Sequence, residues 1–223
     1  MRPIERATCS ICGEVLAQVN PWDDANVCNL CSEDRPPYQS AVAYGAYDGE
    51  LRELIHLLKY DQVHPAAVVL GGMLAMAIAK LELIGPVLVV PVPLHSSKKR
   101  QRGFNQAESI AKIALKSMRE KRFQLATDVL ERVRPTISQI GLTRPQRREN
   151  MRGAFKVAHL NRVGGSGILV VDDVMTTGTT VAECARVLRR AGARNVWVAT
   201  VARTLKNDGH SELLERTAVA VNE

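Results

Sequence analysis

From Ile168 to Thr180 the chain reads Ile-Leu-Val-Val-Asp-Asp-Val-Met-Thr-Thr-Gly-Thr-Thr: an aliphatic run, two adjacent carboxylates, and four threonines around one glycine. Ile168 to Val171 suit a central parallel strand covered on both faces. Asp172 and Asp173 fall where that strand is expected to end, which is where open α/β sheets hold their ligands. Thr176, Thr177, Gly178, Thr179 and Thr180 form a tight loop whose glycine lets the backbone turn and approach a ligand closely. From about Thr179 the spacing of Val181, Ala185 and Leu188 becomes helical, with Gly192 as C-cap. Amides at that helix start, with hydroxyls beside them, suit a phosphate dianion. Carboxylates in the same pocket would repel it, so the acidic pair is assigned to neighbouring ligand hydroxyls or to a divalent cation. An ordinary buried strand followed by a surface turn calls for no such concentration of acids and hydroxyls, and a strand–turn–helix context would confirm the motif.

The cysteines carry a second signal. Cys9 and Cys12, then Cys28 and Cys31, form two Cys-x-x-Cys pairs with the spacing of a four-thiolate zinc site. Four thiolates around tetrahedral zinc leave no open position, so such a site is structural. Two disulfides are the competing arrangement. Met1 to Thr8 shows no signal-peptide pattern, which points to a reducing, cytoplasmic setting and so to the metal. Cys184 falls inside the helix after the threonine loop and reads as a small core residue.

These residues need a scaffold, and the chain has enough material for one. It has 223 residues, 46% of them hydrophobic, enough for one core plus a small appendage. Residues 1–38 are that appendage, a zinc-ribbon-like module too short to fold without a staple, and 39–223 form the main domain. Helical spacing appears at Leu51, Leu54, Ile55 and Leu58, and again at Leu70, Leu74, Ile78 and Leu81. Val87 to Val92 reads as a strand running into Pro91-Val92-Pro93. Asn105 and Glu108 resemble a capping box opening a helix through Ile110, Ile113 and Met118. Val196 to Val201 is another core strand, and Thr217 to Val221 an edge strand. Strands and helices alternating at these lengths predict an α/β fold, a mostly parallel sheet flanked by helices with right-handed crossovers. The longest apolar stretch, Ala66 to Ala79, is Ala- and Gly-rich and too short to span a bilayer, so no membrane span is expected.

Charge is concentrated. The formal net is +7, yet Lys98, Lys99, Arg100 and Arg102 contribute +4 and the segment from Leu130 to Lys156 a net +5. The rest is slightly acidic. Both basic segments are expected in connections between core elements, with a highly anionic ligand at their meeting point. Gly103 to Gln106 and Thr136 to Gln139 interrupt them with uncharged residues that a merely solvated loop does not need.

The threonine-loop segment resembles the type I phosphoribosyltransferase signature. That resemblance implies that Asp172 and Asp173 grip the ribose hydroxyls of phosphoribosyl pyrophosphate (PRPP) while Thr176 to Thr180 cradle its 5′-phosphate. Over nearly its whole length the chain is similar to the ComF family, competence-associated phosphoribosyltransferase homologues of bacteria. The residues that carry this are the four cysteines, Leu58-Lys59-Tyr60, Val90 to His95, Arg102 to Gln106, Gln139 with Gly141, Leu142, Arg147 and Asn150, and Gly153 to Phe155. The resemblance implies a pyrophosphate-side loop around Pro93, with Lys59, Arg100 and Arg102 nearby. It also implies a hood from about Arg132 to Arg152, including Arg147, that closes over PRPP. Mg²⁺ would accompany PRPP, and the acceptor is unidentified. His95 is the nearest general-base candidate, although a lone histidine after such a turn is more often a structural hydrogen-bonder.

Three functions fit these expectations: phosphoribosyl transfer, PRPP sensing without turnover, and an accessory role in natural transformation with single-stranded DNA or DNA-uptake proteins as partners. Related transferases often pair, so a homodimer is an expectation from the same resemblance. Aromatic residues make up only 4% of the chain, a poor supply for base stacking, so any DNA binding is expected to be led by the backbone phosphates. Between Cys9 and Cys31 there is no Lys or Arg, which favours folding or protein docking over DNA contact for the cysteine module.

Overall fold

The computed structural model describes residues 1–17, 26–61, 63–137 and 141–205. The cysteine module ends in a short helix α1 (Asn29–Glu33) and leads into strand β1 (Ala41–Ala46). Helices α2 (Gly49–Tyr60) and α3 (Pro65–Ile78) then return the chain to β2 (Val87–Pro91). Helices α4 (Ser96–Arg102) and α5 (Gln106–Met118) precede β3 (Phe123–Leu125). A hairpin-like pair, β4 (Leu130–Arg132) and β5 (Phe155–Val157), encloses helix α6 (Arg144–Met151). After α7 (Leu160–Val163) come β6 (Gly167–Met175), α8 (Thr179–Arg190) and β7 (Asn195–Arg203).

Five strands form one sheet in the order β1-β7-β6-β2-β3, with every neighbouring pair parallel. The expected mostly parallel sheet flanked by helices is therefore present. Strand β6 lies at its centre, and its side chains divide by the two-residue period of a pleated strand. Ile168 and Val170 face the core beneath α8 and the cysteine module. Leu169 and Val171 face the core beneath α2, α3 and α5. Such two-sided burial explains why the strand is continuously aliphatic.

Helix α3 packs its Leu70, Leu74, Ala77 and Ile78 face on the sheet and α5, while Val68, Val69 and Met76 stay exposed. Leu70 and Leu74 are fully buried, so cutting either to Ala is expected to cost about 2–5 kcal/mol. A Cβ on Gly71 would come within 2.5 Å of the Ile113 side chain, so the glycine sets how closely α3 and α5 approach. Leu81 lies beyond the end of α3, which stops at Ile78, shorter than its apolar spacing suggested.

Two further differences from the sequence reading concern helix caps and the basic segments. Asn105 caps α5 by accepting from the Ala107 amide at 3.1 Å, while its amide group donates to the Val92 carbonyl at 3.0 Å. A complete capping box forms instead at α6, between Thr143 and Gln146. Both basic segments are partly helical, as α4 and α6, rather than confined to connections. The strand expected over Thr217 to Val221 lies outside the described residues.

Candidate functional site

Pairing with β2 stops at Val171, but β6 continues to Met175 alongside β7 alone. Asp172 and Asp173 thus stand within the strand rather than at its end, at the point where its β2 side becomes open. Beyond Pro91 the chain leaves the sheet through Val92, whose amide donates to the Val171 carbonyl at 2.8 Å, and partly exposed Pro93. The opening beside the acidic pair is the gap created by that departure.

Lys59, in the last turn of α2, reaches this opening. Its Nζ lies 3.0 Å from Asp173 Oδ2, with the two side chains only 16% and 12% exposed. Burial opposes the lysine charge, but Asp173, Asp172 and Tyr47 together outweigh it and hold the pKa above the usual lysine range. Asp172 accepts from the Asp173 amide at 2.9 Å. Burial, then the adjacent Asp173 charge, pushes its pKa up to about 7, against the pull of Lys59 and Arg132. A crowded, half-compensated acidic pair of this kind favours a cation or hydroxyl donors.

The loop after β6 is organised by Gly178, whose φ of +75° a side chain would strain. Thr177 and Thr179 hydroxyls meet at 2.8 Å across it. Helix α8 starts at Thr179 without a side-chain cap, because its N-cap is that glycine. Its other end is closed by hydrogen bonds from Gly192 to Arg189 and from Ala193 to Leu188, the Schellman arrangement. Cys184 is fully buried on α8, as a core residue.

Cations approach from two directions. Helix α4 carries Lys98, Lys99, Arg100 and Arg102, and none of these forms an ion pair among the described residues. Arg100 is exposed, while Arg102 stacks over the Tyr60 ring at 5.3 Å. His95 caps α4, its Nδ1 2.8 Å from Ser97 Oγ, which is a structural role. From β4, Arg132 lies over the Phe155 ring at 5.5 Å with its Nε buried and unpartnered. Desolvation and then the charges of Arg132, Arg102 and Lys59 lower the Lys98 pKa, so Arg132 alone of the second basic segment is felt at α4, and Arg148 is paired with Asp34 instead. Arg147 is turned elsewhere, its Nε donating to the Leu142 carbonyl at 2.8 Å. Arg132 was not singled out among the sequence's site residues, and only its place at the start of the basic stretch pointed to it.

The segment expected to form the hood is tied down at several points. Asn150 exchanges hydrogen bonds with Ile137, and Arg134 donates to the Asn150 and Arg152 carbonyls. The Gly153 amide donates to Glu183 of α8 at 2.8 Å, and Arg148 pairs with Asp34 beside the cysteine module.

The four cysteine sulfurs lie within 4.8 Å of one another, and none is in a disulfide. Cys12 and Cys28 sulfurs are 3.7 Å apart, against about 3.8 Å for the edge of a tetrahedron with 2.3 Å metal–sulfur bonds. Amides of Cys12 and Cys28 point at Cys9 Sγ, which steadies a thiolate. The cluster can hold a metal ion. Buried Arg203, at the end of β7, anchors the module by donating to the Cys12 carbonyl and to Glu14 Oε2, the latter at 2.7 Å. Sequence reasoning missed this arginine, which ends a largely apolar strand.

No helix among the described residues is long and apolar enough to cross a membrane. The phosphoribosyl transferase domain family matches residues 86–221. DNA utilization protein YhgH of Salmonella typhi is 34% identical over 210 residues, 88% of this chain and 90% of that protein. Competence protein F of Haemophilus influenzae is 29% identical over 200 residues, 87% and 84% of the two chains. A solved structure of the allosteric regulatory enzyme of purine biosynthesis aligns with 62% of this chain at 25% identity and a TM-score of 0.39. The alignment spans only 26% of that much longer protein. By its matched domain and its full-length relatives, the chain belongs to the phosphoribosyl transferase domain family and, within it, to the ComF group.

Proposed function

We propose that the protein binds PRPP with Mg²⁺ and transfers its phosphoribosyl group to a nitrogen acceptor. The Lys59–Asp173 pair carries this reading, because it sets a buried cation against an acidic pair three residues before a threonine–glycine loop. Asp172 and Asp173 accept from the ribose hydroxyls, and Thr176 to Thr180 take the 5′-phosphate. Lys59, Arg100, Arg102 and Arg132 face the pyrophosphate, the group on which negative charge grows as the C1–O bond breaks. A C1–N bond then forms, and the acceptor's proton passes to solvent. The hood, including Arg147, excludes water that would otherwise capture the oxocarbenium-like C1. Asp172 and Asp173 would hold the Mg²⁺, which would supply further charge neutralisation for the leaving group. The donors fit it: both are hard carboxylates, and the raised Asp172 pKa registers crowding that a cation relieves.

Residues 1–38 serve as a structural zinc module in this reading, with 39–223 as the transferase-like domain. The sulfur spacing supports zinc. A cytoplasmic location accords with four free thiols, and homodimerisation stays part of the proposal.

The test is a calorimetric titration of Mg·PRPP into the zinc-loaded protein beside an Asp172→Asn/Asp173→Asn variant. Binding lost in the variant supports the reading, and no binding by the folded native protein sinks it.

A second reading has its own observation. The unpaired cations of α4 lie beside Tyr60, which is 63% exposed and stacked by Arg102. Together they suit a single-stranded DNA backbone, consistent with relatives named for DNA utilization and competence. On this reading the protein is a non-catalytic accessory factor that binds PRPP or DNA, and handles DNA together with uptake proteins. Strand binding without pyrophosphate release across a panel of bases and amines would favour it.

A further inference from the structure

Helix α3 runs from Pro65 to Ile78 without a charged, hydroxyl or amide side chain. A helix apolar on every side belongs in a core, whereas one at the surface of a domain turns a polar stripe outward. Helix α3 does neither: Leu70, Leu74 and Ile78 are buried, yet Val68, Val69 and Met76 are 61%, 46% and 56% exposed. Its neighbours follow the rule. The outward residues of α2 include Arg52 and Glu53, and those of α5 include Lys112 and Lys116. Partly exposed Leu57 and Val63 prolong the apolar strip where α2 leads into α3, the Val63 amide donating to the Leu57 carbonyl at 3.2 Å.

The chemistry of the strip narrows what can cover it. Nucleic acid needs cations, and α3 supplies none. A helix that lies on a membrane surface carries Lys or Arg beside its apolar face, and α3 lacks these too. A charged protein partner would lose water there and gain no counter-ion. An equally uncharged helix face meets neither objection, and α3 is one.

The strip also matches itself. Val68, Gly72 and Met76 are spaced four residues apart and form one ridge of the kind that interdigitates in the commonest helix–helix packing, with axes about 8–10 Å apart. A Cβ on Gly72 would meet nothing within 4 Å, so the space above it is open among the described residues. The ridge therefore reads knob, hole, knob. A copy turned end for end about a two-fold axis beside Gly72 sets each Val68 next to the other's Met76 and brings the two glycines together. That is the self-complementarity an isologous contact requires.

We infer that the outer face of α3 is a contact between two copies of this chain, packed antiparallel about Gly72. The inference gives the proposed homodimer its surface and uses nothing from the transfer reading. A single helix pair falls short of a standard interface of about 1,600 Å² in total, so the association is reversible and concentration-dependent.

The experiment is sedimentation equilibrium on the full-length, metal-loaded chain from micromolar to near-millimolar concentration. It compares the native protein with Val68→Lys, with Met76→Glu, and with an equimolar mixture of those two. The native chain is expected to show a monomer–dimer equilibrium, and each variant to raise the dissociation constant by about tenfold or more. The mixture recovers association, because the introduced ammonium and carboxylate then meet across the axis. Gly72→Leu serves as a variant that cannot fail through misfolding of the helix: it enters open space, improves helix propensity and raises the melting temperature, yet weakens the dimer. A native protein that stays monomeric throughout overturns the inference. So does a dimer that none of the substitutions weakens, an outcome that leaves homodimerisation standing through another surface. Two weakened variants that do not recover on mixing overturn the antiparallel packing.

Discussion

Lys59 Nζ and Asp173 Oδ2 are 3.0 Å apart, joining the last turn of α2 to the acidic pair of β6 across 114 residues of sequence. Lys59 neutralises half of that pair and leaves Asp172 the more strained member. Removing the ammonium as Lys59→Met is expected to weaken Mg·PRPP binding roughly ten- to hundredfold, the range of a lost charge-assisted hydrogen bond. Calorimetry on the folded variant decides the matter, and an undiminished affinity removes Lys59 from the site.

Asp172 makes stability depend on pH in an unusual direction. The unfolded carboxyl loses its proton above about pH 4, whereas the folded one keeps it until about 7. The folded state binds more protons between those values, so stability falls as pH rises through the window and levels off above it. The melting temperature of the ligand-free protein is expected to fall by several degrees from about pH 5 to about pH 8. Asp172→Asn flattens that slope; a variant that retains it would assign the effect to other groups.

Glu14 and Arg203 form a buried pair, with side chains 11% and 4% exposed. Glu14→Gln leaves the arginine charge without its counter-ion, a change that costs about 3–5 kcal/mol in buried pairs. In a domain of this size that corresponds to a melting temperature lower by roughly ten degrees. Thermal denaturation measures it, and a shift of only a degree or two would show that water already reaches the pair.

Metal binding gives a stoichiometric prediction. Elemental analysis of the native protein is expected to find one zinc per chain, and Cys28→Ser to lose it together with the docking of residues 1–17 on β1. A full complement of metal in Cys28→Ser would place the ion elsewhere.

The two arginine groups of the basic segments should separate in DNA binding. Arg100 and Arg102 have no acidic partner among the described residues, whereas Arg148 is committed to Asp34. Arg100→Gln/Arg102→Gln is expected to reduce the salt slope of single-strand binding by about 0.7 per lost phosphate contact, while Arg148→Gln leaves the slope unchanged. Equal effects from both would place the strand along the hood as well.

What the sequence made legible was local chemistry. The continuous aliphatic run of β6 and its threonine loop announce themselves because a strand buried on both faces admits little else. Cysteine spacing is equally direct, since four thiolates must converge on one point. Lys59 was found only through resemblance: its helix shows an apolar stripe, and nothing local says that the next turn aims a cation at β6. Arg203 was invisible because its burial depends on Glu14, 189 residues earlier. The strands β4 and β5 span only three residues each, too short for alternation to register. The Thr143–Gln146 box was overlooked for the similar pattern at Asn105, whose side chain caps α5 through Ala107 and also donates to the Val92 carbonyl.

The strand order has a consequence for synthesis. Among the described residues β1 pairs only with β7, so the first strand made waits for the last. Until β7 leaves the ribosome, Ala41 to Ala46 has an unsatisfied edge, the kind of surface through which nascent chains aggregate. The four-cysteine cluster lies immediately upstream and needs only residues within the first 31 to close. It can fold early and hold the approach to β1 while the other strands are translated, and Arg203 then fastens the two ends as β7 docks.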